Sequence, residues 1–280
     1  LVTSIDKTYD LYFLLMSLVA EMAHYAEQRQ EAAKKKQLPT YEDLNPNRKF
    51  VDNAVIRLLA QSDSVNDYLA ARKLSWAKYP ELVKTLFTQL EQSDYYKKYM
   101  ASQERSFRED LALVTEFYTR ELEESEILEN VLDEMSILWN DDLGFALIMV
   151  TRTLSNMRPS HVDVKVLPKF KSIEDLDFAR ELFAKAAVNF DNYQEEIEKY
   201  TRNWDVERIA FMDNLIMATA VAELVTFPSI PVKVTLDEYI EIAKYYSTHG
   251  SSTFINGILD KIVASFTEEG KINKSGRGLI

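Results

Sequence analysis

Cysteine is absent from the chain, which excludes disulfides, thiolate nucleophiles and cysteine-ligated zinc. Its absence fits a reducing cytoplasm, the expected compartment. Glycine and proline are almost as scarce, 6 and 7 residues among 280, where average usage would supply roughly 34 together. Sandwiches and barrels need such turn residues, and phosphate loops need glycine itself. Gly144 is the sole glycine before Gly250, so the expected class is all-α, a helical bundle. No apolar run reaches membrane-spanning length; the densest, Leu11 to Val19, is about half of it. The first residue is Leu1 rather than methionine, which predicts a natural start further upstream.

Basic residues are outnumbered, 33 Lys+Arg against 45 Asp+Glu, for a formal charge of −12. Phosphate contacts require clustered Lys and Arg, so this balance speaks against a free-standing nucleic-acid binder. The charge is uneven, however. Glu109 to Glu134 holds ten acids and one base, Arg120, or −9 of the total. An acid stripe opposite an apolar one is expected to face solvent.

What is present is helical periodicity nearly throughout. Residues 5–36 pair an apolar stripe (Ile5, Tyr9, Tyr12, Phe13, Met16, Val19, Ala20) with a charged end at Lys34 to Lys36. Further helices are expected over about 48–61, 64–76, 80–90 (opened by Pro80), 104–137 and 139–156, the last buried through Phe145, Ile148 and Met149. Pro159, Pro168 and the valines of 162–166 mark the best internal boundary. Beyond it, Ser172 and Asp175 cap a helix over 176–200, and a helix over 205–225 is apolar nearly all round, with Phe211 and Leu215 among its apolar residues. Thr235-Leu-Asp-Glu238 reads as a capping box for 236–247, and 252–266 is the last helix. The expected domains are 1–165, 166–270 and a mobile basic tail, 271–280, with Lys271, Lys274 and Arg277.

Catalytic motifs are thin. Glu21-Met-Ala-His24 has the spacing of one half of a di-iron site, but no second pair exists, and His161 and His249 fall in loops. No zincin, nucleophile-elbow or Walker pattern occurs, so neither a metal, a cofactor nor an enzymatic activity is expected. Gly250 to Gly257 is more informative, because Ser251, Ser252 and Thr253 bring three hydroxyls to a helix start. Such a start can bind phosphate, whereas the plainer reading is capping by Ser251 or Ser252. Gly257 within a helix costs about 1 kcal/mol, for which close helix packing is the expected compensation.

The order of these pieces carries a resemblance. Phe178-Ala-Arg-Glu-Leu182 with Asn189 is followed by Trp204-Asp-Val-Glu-Arg208-Ile209, Asp213, Ile216 and Ala222-Glu223-Leu224. Ile230-Pro231-Val232-Lys233-Val234, Asp237-Glu238-Tyr-Ile-Glu241-Ile-Ala-Lys244 and Phe254-Ile-Asn-Gly-Ile-Leu-Asp260 complete the series. In order and spacing, residues 178–266 resemble the NusB family of all-helical antitermination factors, with residues 1–165 an enlargement outside the resemblance. The resemblance implies a non-catalytic factor that binds boxA-type RNA together with NusE, a small-subunit ribosomal protein, within the RNA polymerase antitermination complex. It assigns RNA contact to Lys244, His249, Ser251, Ser252, Thr253 and Phe254, and protein-partner contact to Asp213 and Glu223. A second copy of the chain is a further partner to expect. The family's arginine-rich first helix has no counterpart in this sequence. Thr253 stands where the family has a basic residue, Ala218 where it has an arginine, and Lys185 where it has a glycine. The alternative is a helical interaction scaffold that keeps this fold without binding RNA.

Overall fold

The structure, a computed structural model, describes residues 1–201 and 210–275. Among these residues it holds fourteen α-helices, one 3₁₀ turn and no strand. The chain divides into two compact units, Val2–Lys169 and Phe170–Ile280, with Leu1 grouped with the latter. Each has its own hydrophobic core.

The N-terminal unit is built around α1 (Val2–Lys34). From Asp10 to Met16 every residue of α1 is buried, because α3 (Ala54–Ala60), α4 (Asp63–Arg72), α5 (Pro80–Gln92) and α9 (Leu143–Asn156) pack around it. A helix enclosed on all sides loses its 3.6-residue stripe. The remaining elements are α2 (Tyr41–Leu44), α6 (Asp94–Ala101), α7 (Phe107–Arg120), α8 (Glu126–Met135) and the Ile137–Trp139 turn.

Hydroxyl and amide side chains set where five of these helices, α2, α3, α4, α6 and α7, begin. The expected helix over 48–61 starts only at Ala54, because Asn53 Oδ1 accepts from the N–H groups of Val55 and Ile56. Ser62, Ser93 and Ser106 cap α4, α6 and α7 in the same way. The single helix expected over 104–137 is two, broken at 121–125, although Leu122 and Leu128 keep the buried stripe continuous across the break. Along α9 the buried face is Leu143, Ala146, Leu147, Val150 and Leu154, and Phe145 is 40% exposed, so the expected register was rotated.

Two buried charges sit in this unit. Asp10 receives Arg72 Nε at 2.7 Å, Arg72 Nη2 at 2.8 Å and the Tyr68 hydroxyl at 2.9 Å. Burial pushes the Asp10 carboxyl up, but the hydrogen bonds from Arg72 and Tyr68 and the nearby cations hold it below its usual value. Lys49 Nζ donates to Glu109 Oε2 and the Tyr99 carbonyl, both at 2.7 Å, and to the Ser102 carbonyl at 3.1 Å. Part of the acid stripe is therefore structural: Glu109 neutralises Lys49, and Asp110 accepts from the Tyr99 hydroxyl and the Ala54 N–H. Glu123, Glu124, Glu126, Glu129, Asp133 and Glu134 are the acids that face solvent.

In the C-terminal unit the helix expected over 176–200 is likewise two, α10 (Glu174–Val188) and α11 (Phe190–Thr201). Asn189 ends α10, its amide donating to the Lys185 carbonyl at 2.9 Å. At the start, Asp175 rather than Ser172 supplies the acceptor, taking the N–H groups of Lys171 and Ser172. The central helix is α12 (Phe211–Thr226), against which α10, α11, α13 (Val232–Tyr246) and α14 (Ser251–Glu268) pack. Phe211, one of the apolar residues expected along this helix, is 70% exposed at its first turn. The Trp204 to Ile209 block, and residues 205–209 of the expected helix, lie outside the described residues.

The expected capping box at Thr235 to Glu238 does not form. α13 begins four residues earlier, after Pro231, and Thr235 is fully buried within it. Of the tail expected to be mobile, Lys271–Ser275 is held against the unit. Ile272 is buried in the core, Lys274 Nζ donates to the Phe227 carbonyl at 2.9 Å and Ser275 N–H to the Pro228 carbonyl at 2.8 Å. Arg277 lies outside the described residues.

Candidate nucleic-acid interface

The start of α14 is set by Gly250, whose φ of +92° is a left-handed conformation that L side chains rarely adopt. This glycine reverses the chain after α13 and leaves α14 without a side-chain cap. Capping by Ser251 or Ser252 therefore does not occur. The first-turn N–H groups of a helix have no intrahelical partner, and the helix dipole makes that end attractive to anions.

Ser251 turns inward instead. It is 4% exposed, and its Oγ donates to Asp213 Oδ2 at 3.1 Å. Ser247 Oγ donates to Asp213 Oδ1, and the Ser251 and Thr248 hydroxyls are 2.8 Å apart. Asp213, itself 5% exposed on the first turn of α12, thus ties the end of α13 and the start of α14 to the central helix. The surface roles expected for Ser251 and Asp213 meet a physical obstacle, because both side chains are buried and occupied with each other.

Glu223, 7% exposed, accepts from the Tyr239 hydroxyl at 3.0 Å. Burial, then the adjacent Glu223 carboxylate, push the Tyr239 phenol up. Lys274 is drawn down by burial against the opposing pull of Glu223. Glu223 is therefore a core acid rather than an exposed contact. Ser247, Thr248 and Tyr239 were not singled out from the sequence; only the four-residue spacing of Ser247 and Ser251 hinted at a shared face.

The other expected RNA residues are accessible. Thr253, His249 and Lys244 are exposed, whereas Ser252 and Phe254 are half-buried. Phe254 packs partly on the core, so only part of its ring is accessible. Lys244 is paired with Glu241 one turn away, which reduces its free positive charge. The arginine position of the resemblance is Ala218, 1% exposed inside the unit.

His24 shares a 2.8 Å hydrogen bond with Gln28. Among the described residues no three His, Asp or Glu side chains are placed to hold an ion. No helix described is long and apolar enough to cross a membrane.

Comparison with known proteins gives this arrangement a context. Residues 152–264 match the NusB family. The transcription antitermination protein NusB of Salinibacter ruber is 45% identical over 104 residues, covering 37% of this chain and 65% of that protein. The protein of the same name from Chloroherpeton thalassium is 39% identical over 108 residues, 39% of this chain and 51% of the relative. That of Pseudothermotoga lettingae is 42% identical over 83 residues, 30% and 59% respectively. The chain thus spans about half to two thirds of the length of these curated relatives. No solved structure matches it. The matched segment contains α10 to α13 and most of α14, with the Asp213 network and the uncapped helix start. What the comparisons establish is a NusB-family match confined to residues 152–264 of this chain.

Proposed function

We propose that the chain is a non-catalytic transcription antitermination factor whose C-terminal unit binds boxA-type RNA jointly with a NusE-type ribosomal protein beside RNA polymerase. The observation that carries this reading is the start of α14. It is an uncapped helix N-terminus, fixed to α12 through Asp213 and bordered by the accessible groups of Ser252, Thr253, His249 and Lys244. It lies inside the segment that matches the NusB family.

In this reading the backbone N–H groups of the first turn and the Ser252 and Thr253 hydroxyls receive a phosphate. The accessible edge of Phe254 offers a surface for a base. Asp213 and Ser251 act as positioning residues, and Glu223 braces α13 through Tyr239. With threonine at 253 and Lys244 already paired, the positive charge at the site is small. RNA affinity of the chain alone is accordingly weak, and a basic protein partner supplies what is lacking.

The test is gel-shift titration of the full chain with boxA-type RNA, with and without a NusE-type protein, across a salt series. A ternary complex at moderate salt, much tighter than either binary one, is expected. Absence of that complex transfers the assignment to an interaction scaffold without RNA binding. Thr253→Arg should tighten RNA binding about fivefold and steepen the salt dependence by about one phosphate contact. An unchanged slope would move the RNA away from α14.

A further inference from the structure

The enlarged N-terminal unit carries a surface that the RNA reading leaves unused. No Lys, Arg or His occurs between Arg120 and Arg152. Within that stretch the exposed carboxylates of Glu123, Glu124, Glu126, Glu129, Asp133 and Glu134 share the surface with exposed apolar side chains. Ile137 is 80%, Leu138 41% and Phe145 40% exposed. The Ser136 hydroxyl accepts from the Leu138 N–H at 3.3 Å and fixes the turn that carries Ile137 and Leu138.

Between these groups lies a cleft of about 220 Å³. Its floor is apolar and buried: Leu132, Trp139 and Leu143. The Trp139 indole is anchored, its Nε1 donating to the Lys7 carbonyl at 2.7 Å. The rim is formed by Glu129, Asp133 and Asn140. With its carboxamide turned to donate, Asn140 holds Asp133 Oδ1 at 3.0 Å and steadies that wall. Glu123 closes in from the 121–125 break, its Oε1 lying 3.9 Å from where a Cβ on Gly144 would stand.

We propose that α8, the Ile137–Trp139 turn and the start of α9 form a docking surface for a basic amphipathic segment of a protein partner. A Lys or Arg side chain of that segment lays its aliphatic stem on Leu132, Trp139 and Leu143 and brings its charge between Glu129 and Asp133. Apolar residues one helical turn away cover Ile137 and Leu138. Nucleic acid and anionic membranes are disfavoured by repulsion from the same carboxylates. A bare cation would leave the apolar side chains without a role. The proposal is independent of the RNA reading, since it concerns only the N-terminal unit.

The probe is a fluorescein-labelled Leu/Lys amphipathic helical peptide, titrated into the full chain and followed by anisotropy. Leu/Glu and Ser/Lys peptides of the same pattern serve as controls. The Leu/Lys peptide should bind and the Leu/Glu peptide should not. Glu129→Gln with Asp133→Asn should weaken binding about tenfold and Ile137→Ser about fivefold. Asp237→Asn with Glu238→Gln, an equal loss of exposed charge in the other unit, should leave it unchanged. Equal weakening by that control pair would reduce the effect to overall charge and overturn the proposal. So would a Ser/Lys peptide binding as well as Leu/Lys. Sedimentation of the chain alone provides a further check: self-association lost in Ile137→Ser would assign the face to a second copy instead.

Discussion

The two units bury acids in different ways. In the N-terminal unit Asp10 lies against Arg72, and buried Lys49 lies against Glu109, so each buried charge meets its opposite. In the C-terminal unit the partners of Asp213 among the described residues are the hydroxyls of Ser247 and Ser251, and Glu223 is held by Tyr239 OH. The helix starts differ in parallel. Side chains cap α2, α3, α4, α6 and α7 of the N-terminal unit, though not α5, α8 or α9, whereas α10, α12, α13 and α14 all lack side-chain caps. The first arrangement closes polar groups within the fold. The second leaves the start of α14 open and ties it to the central helix through neutral hydroxyls.

The strongest way to break this contrast is Lys49→Met. The substitution removes a buried ammonium that serves Glu109 and two carbonyls, leaving three acceptors without their donor. The N-terminal unit should lose about 3–4 kcal/mol. Two units need not unfold together, so peptide-resolved hydrogen exchange is the measurement. Protection should fall across α3, α6 and α7 and stay unchanged in α12 to α14. Loss in both units would dissolve the distinction.

Asp10→Asn should cost the same unit about 2 kcal/mol at neutral pH, and less in acid. The sign follows from the lowered carboxyl. Its contribution is complete above the usual aspartate value near 4 and is lost as pH falls through the depressed value of the folded state. Wild type and variant should therefore converge in stability toward low pH. Parallel curves would show that the Arg72 contact works by packing and not by charge.

Much of this was legible in the sequence, and the reasons are specific. Scarce glycine and proline gave the all-helical class, and the ordered blocks from Phe178 to Asp260 carried the resemblance that the NusB-family match over residues 152–264 bears out. The break at 121–125 stayed hidden because no glycine or proline marks it, and a continuous buried stripe masks the interruption. Burial of Asp213 stayed hidden for a related reason: a list of residue types shows a carboxylate without showing which way it turns. One clue was available. On a helix as apolar all round as α12, an acid in the first turn is either at the rim or hydrogen-bonded inside, but donors 34 and 38 residues away cannot be picked out from sequence order.

Asp213→Ala tests the C-terminal side of the comparison. Two hydroxyls lose their acceptor, one of them deeply buried, for a cost of about 2 kcal/mol. Exchange should rise first at the α13–α14 junction, and RNA binding in the ternary assay should weaken more than overall stability would predict. Ser247→Ala should give a smaller version of both effects. If Asp213→Ala lowered stability uniformly and left RNA binding intact, the network would be packing alone.

The smallest effect concerns Gly257, and it has the opposite sign. Close packing against another helix was the expected reason for a glycine within α14, but an added Cβ there meets nothing within 4 Å, and the residue is exposed. Its backbone is helical, so alanine is compatible with it and would restrict the unfolded chain. Gly257→Ala should therefore stabilise the C-terminal unit by about 0.5–1 kcal/mol. Gly250→Ala, at a left-handed position only seven residues earlier, should destabilise it by a similar amount. Thermal unfolding of the pair separates a glycine retained for its backbone from one that the fold does not need. If Gly257→Ala stabilises the chain yet impairs ternary RNA binding, the open space above it is where the ligand passes.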